Sequence, residues 1–126
     1  MRVSLVLLCA AVFALSSGQA WAESGTYTPP KNYTGNIWVD ITVPADVQTG
    51  CFQVIWGPWI GSGCAARNSE GKFELKFQKN STDQVPFTVV YPSGSIVNQV
   101  LFQSWDPCPN VPPSGCRPVP LSWRAR

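Results

Sequence analysis

Histidine is absent from all 126 residues, and that absence excludes more chemistry than any motif present suggests. A Ser-His-Asp or Cys-His site needs an imidazole to move the proton. The common zinc, copper and non-haem iron sites draw on imidazole ligands, and the spacing Cys-x₂-Cys that builds zinc and redox sites without them does not occur either. Charge is scarce as well: 13% of the residues are charged, nine basic against seven acidic, for a net +2. Nucleic-acid binding carries a strong basic bias, so no nucleic-acid partner is expected. No apolar run reaches the ~20 residues of a membrane-spanning helix. Gly71-Lys72 lacks the upstream glycine and the following Ser or Thr of a phosphate-binding loop. An apolar repeat of helical period is missing from the chain beyond its first two dozen residues.

Those first residues have their own pattern. Arg2 opens the chain, Val3 to Leu15 form an apolar stretch, and Ala20-Trp21-Ala22 offers the small-x-small cleavage pattern. This predicts an export signal over 1–22 that is removed, with the mature chain starting at Glu23 and a secreted or periplasmic location. Cys9 leaves with the signal, and four cysteines remain in an oxidising compartment: Cys51, Cys64, Cys108 and Cys116. Small exported domains use cysteine mainly as disulfides. Of the three pairings that four cysteines allow, neighbour pairing is the simplest, Cys51 with Cys64 and Cys108 with Cys116. Neither a metal nor another cofactor is expected.

The mature chain reads as strands. Residues 23–35, polar and carrying Pro29-Pro30, form an extended lead-in. A single β domain follows over 36–126. From Asn36 to Val43, Ile37, Val39, Ile41 and Val43 point one way while Trp38, Asp40 and Thr42 point the other, the period-two pattern of a half-buried strand. Cys51 to Trp56 is a second strand. If Gly57-Pro58 is a tight turn, Trp56 meets Trp59 and Cys51 meets Cys64, a hairpin closed by its own disulfide, although Gly61-Ser62-Gly63 makes the returning strand weak. Lys72 to Lys79 places Phe73, Leu75 and Phe77 inward and Lys72, Glu74, Lys76 and Gln78 toward water. Gln84 to Tyr91 pairs with Ile96 to Trp105, and Pro86 predicts an edge or a bulge because it has no backbone donor. Six of the fifteen residues from Asp106 to Pro120 are proline, so this segment is neither helix nor central strand. The fold class is all-β: a small antiparallel β-sandwich or barrel with two disulfides and a Pro-rich C-terminal disulfide loop at 106–120.

The carboxylates do not pair convincingly. Asp40 and Glu74 fall on outward strand faces, and Asp46, Glu70, Asp83 and Asp106 fall in turns or loops, where each is a solvated residue. No catalytic residue is expected, and the chain reads as a non-enzyme. Tryptophan is the surplus: five remain after the signal, namely Trp38, Trp56, Trp59, Trp105 and Trp123. An indole stacks on the C–H face of a sugar or anchors a protein contact. The reading that follows is a binding module that recognises carbohydrate or a protein surface through exposed aromatics. Trp38, Trp59 and Ile60 carry the contact and Trp56 supports it. Two alternatives stand beside it: a peptidase inhibitor presenting the stiff Cys108–Cys116 loop, and a structural subunit of a surface assembly that pairs strands at the edge near Pro86.

Overall fold

Alternation along the chain is realised as two stacked sheets. The computed structural model describes residues 22–67, 71–107 and 117–126. In chain order the strands are β1 (Ala22–Tyr27), β2 (Gly35–Thr42), β3 (Thr49–Trp56), β4 (Trp59–Ala66), β5 (Lys72–Lys79), β6 (Phe87–Pro92), β7 (Ile96–Phe102), β8 (Arg117–Val119) and β9 (Ser122–Ala125). The first sheet has the order β9-β4-β3-β6-β1 and the second β7-β2-β5-β8. All pairings are antiparallel except that of β5 with β8. The all-β sandwich expected from the sequence is therefore present, as two open sheets and not a closed barrel.

The core lies between the sheets and uses the residues that the alternation selects. Ile37, Val39 and Ile41 of β2 and Phe73 and Leu75 of β5 are fully buried, with Phe77 at 4% exposure. They face Phe52 and Val54 of β3 and Phe87 and Val89 of β6. Ring pairs bridge the layers, Phe77 with Phe87 at 5.1 Å and Phe52 with Phe73 at 5.4 Å between centroids. Burial of each such side chain contributes roughly 1.5–3 kcal/mol.

The β3–β4 hairpin has the register its turn predicts. Cys51 faces Cys64 and Trp56 faces Trp59, and the two cysteines form a disulfide. Gly57 takes the turn's positive φ of 55°. Closing a loop of this size contributes about 3 kcal/mol in a chain-entropy model. The two glycines that weaken β4 locally have a reason. Both point inward, and the C-terminal segment fills the space their missing side chains leave. A Cβ on Gly61 would lie 2.8 Å from the Trp123 ring, and one on Gly63 would strike the Pro120 carbonyl.

Several expectations need correction. Gln84–Tyr91 and Ile96–Trp105 do not pair with each other: β6 lies in the first sheet, paired with β3 and β1, and β7 lies in the second, paired with β2, so the chain crosses between layers at Pro92–Ser95. Pro86 marks no edge: it precedes β6, and β6 lies inside the first sheet between β3 and β1. The lead-in contains β1, which is paired along its length with β6 from Ala22↔Pro92 to Tyr27↔Phe87. Asp40 and Glu74 do not face water, being 7% and 0% exposed. Residues 103–107 cross the outer face of the second sheet above them, held by Trp38 Nε1 donating to the Gln103 carbonyl at 2.9 Å and Asn36 Nδ2 to the Ser104 carbonyl at 3.0 Å. The signal at 1–22 (but for Ala22) and the pairing of Cys108 with Cys116 lie outside the described residues. Among the described residues no helix is long and apolar enough to cross a membrane.

Candidate functional site

An aromatic cleft opens at the end of the sandwich where the β3–β4 hairpin turns. Its walls come from one face of the first sheet. Trp56 and Trp59 are cross-strand neighbours on the inner face, and Trp123 of β9 stands in the adjacent row opposite Gly61. Cross-strand neighbours on one face lie side by side, so three indoles collect there. The core ring of Phe77 packs against two of them, 5.7 Å from Trp56 and 6.0 Å from Trp123 between centroids. Trp56 is half-buried and fixed by Nε1 donating to the Val85 carbonyl at 3.2 Å. Trp59 is 52% exposed and Trp123 40%. The space they enclose is about 580 Å³, completed by Gly57-Pro58, by Val85 and by a polar margin of Gln78, Asn80 and Ser81.

A buried lysine holds that margin. Lys79 follows Phe73, Leu75 and Phe77 on the inward side of β5 and is fully buried. Its Nζ donates to the Tyr33 carbonyl at 3.0 Å and to the Ser81 carbonyl. The ammonium is satisfied by backbone dipoles, and the turn at 80–81 is fastened beside the cleft. No charged side chain lines the cleft itself. Its chemistry is flat apolar surface with amide and hydroxyl groups along one side, suited to a ligand that is neutral and has both C–H faces and hydroxyl or amide groups.

The sequence-predicted residues divide. Trp56 and Trp59 are brought together in the cleft. Ile60 is not with them, because successive side chains on a strand point to opposite faces, and its place is the outer face of the first sheet beside Ile55 and Arg124. Trp38 is 3% exposed, with Lys76 Nζ 5.3 Å from its ring, so its indole is no platform in this structure. Trp105 is 65% exposed but does not line the cleft. Trp123 and Val85 are additions. The signal for Trp123 is short: Leu121 and Trp123 alternate with Ser122 and Arg124, the minimum of a strand pattern, in a stretch that otherwise reads as a chain end.

A second cluster lies under residues 103–107. Glu74 is paired directly across the sheet with Asp40. Its pKa is pushed up to about 7, first by burial, then by the charge of Asp106 and a hydrogen bond with it, then by Asp40, against a smaller opposing effect of Lys76. Among the described residues no group of three or more carboxylates or cysteines is arranged to hold a metal ion.

No family model, no curated protein and no solved structure matches this chain.

Proposed function

We propose that this protein is an exported, non-catalytic binding module that recognises a neutral carbohydrate through the cleft of Trp56, Trp59 and Trp123. One observation carries the reading: three indoles converge on an open cleft whose other polar groups are two amides and a hydroxyl, with no charge among them. Sugars offer apolar C–H faces to stack on indoles and hydroxyls to bond with Gln78, Asn80 and Ser81. A protein surface is the other partner that exposed indoles serve, but the absence of charge and the side-chain amides of Gln78 and Asn80 favour the sugar. The cystine Cys51–Cys64 supports an oxidising location, secreted or periplasmic.

The test is a glycan array followed by titration calorimetry on the best neutral polysaccharide. Binding that falls at least tenfold in Trp59→Ala and in Trp123→Ala, with the fold intact by circular dichroism, supports the reading. Binding unchanged in both variants, or selective retention of charged glycans only, overturns it.

A further inference from the structure

An open sheet carries two edge strands, and natural β proteins guard such edges against pairing by charge, proline, glycine or short length. Among the four edges here, three are guarded in one of these ways. β1 contains Glu23 and Gly25. β8 is three residues long with Pro118 at its centre. β9 has four residues and carries Arg124. The edge β7 differs: its seven residues, Ile-Val-Asn-Gln-Val-Leu-Phe, hold no charge, no proline and no glycine. It lies within a stretch from Gln84 to Trp105 that contains no charged residue at all. Ile96 at its start is 62% exposed.

One guard remains, a register shift between Asp40 and Ile41 where Asn98 is the extra residue. Its side chain turns back to the sheet, with Nδ2 donating to Thr42 Oγ1 at 2.8 Å. The four residues Gln99–Phe102 beyond it keep regular register with β2. The chain then leaves the edge and crosses the outer face of β2 through the Gln103 and Ser104 contacts, so among the described residues nothing is paired with the free side of β7.

We infer that β7 is a self-association edge: two copies pair β7 against β7 in antiparallel fashion and join their four-stranded sheets into one of eight. A second copy suits this edge for a specific reason. A two-fold interface sets each strand against its own reverse, so a charged edge would bring like charges together or near each other, whereas an uncharged one meets no repulsion in any register. Pairing satisfies the open backbone donors and acceptors and covers Ile96. The ring pairs Trp123–Phe77 and Phe87–Phe102 place β9 over β5 and β6 over β7. The aromatic cleft therefore lies on the margin away from β7, and pairing leaves both clefts open.

The experiment is sedimentation equilibrium of the purified oxidised protein, alongside the double variant Ile96→Lys/Gln99→Lys. The expected result is a mass that rises from one chain to two with concentration in the wild type and stays at one chain in the variant. Hydrogen–deuterium exchange of the wild type supplies a readout that does not depend on the variant folding: β7 amides exchange more slowly in concentrated than in dilute protein, while β1 amides do not change. A single-chain mass at every concentration, dimerisation retained by the folded double variant, or β7 exchange independent of concentration overturns the inference.

Discussion

Two regions of this sandwich set tryptophan against a sheet, and they treat it in opposite ways. On the outer face of the second sheet, Trp38 lies beside Asp40, Glu74 and Lys76 and is covered when residues 103–107 cross over it. At the hairpin end, Trp59 and Trp123 project past the cover of the second sheet and stay open. The covered region is crowded with ionisable groups, whereas no charged side chain lines the open one. Whether an aromatic is core or platform is thus decided by what a later stretch of chain does, and not by the strand that bears it. Alternation assigns a side chain to a face; it does not say whether that face meets water.

Substitutions at the two tryptophans break the comparison most directly. Trp38→Ala is expected to cost about 3–5 kcal/mol, as for other buried aromatics, and to release residues 103–107, measured by urea unfolding. A cost near zero would mean that those residues do not seal the face. Gly61→Val tests how the cleft is assembled. The new side chain needs the space of the Trp123 ring, so a loss of roughly 1–3 kcal/mol is expected, together with greater iodide quenching as Trp123 is displaced.

The pH dependence sharpens the electrostatic half of the contrast. Glu74 has its folded pKa raised from 4.5 to about 7, chiefly by burial and by Asp106. The folded state therefore holds that proton more tightly than the unfolded chain. Its contribution is fully present below about pH 4.5 and is lost as pH rises through 7. Stability should fall over that window, and Glu74→Gln should flatten the fall. A profile of the same shape in the variant would place the titration elsewhere. The smallest effect is expected at Trp59→Ala, within about ±0.5 kcal/mol of wild type because the ring is half exposed. Its change should appear in ligand binding and in loss of quenchable fluorescence.

Much of the sandwich was legible residue by residue. The strands at Asn36–Val43 and Lys72–Lys79 were readable because apolar residues recur at every second position. The hairpin was readable because one turn at Gly57-Pro58 places both the tryptophans and the cysteines in register. Half of the cleft, Trp56 and Trp59, followed from that same hairpin. The rest was not readable for identifiable reasons. Ile60 follows Trp59 directly on β4, and successive residues on a strand diverge, so the two cannot share one contact face. Trp123 contributes through a four-residue strand, too short to have a period of its own. Pro86 predicts an edge or a bulge, but the proline lies just outside the ladder, where its missing donor costs nothing and neither device is needed.

By itself, the sequence determined the all-β class, the main strands, the hairpin with its disulfide, and an inventory without imidazole. These follow from local rules: side-chain period, turn chemistry and residue identity. Tertiary structure alone decided which face of the second sheet is sealed, why Gly61 and Gly63 are needed, and that Trp123 joins Trp56 and Trp59. Each of these is a contact between segments far apart in the chain, and no local pattern encodes where such segments meet.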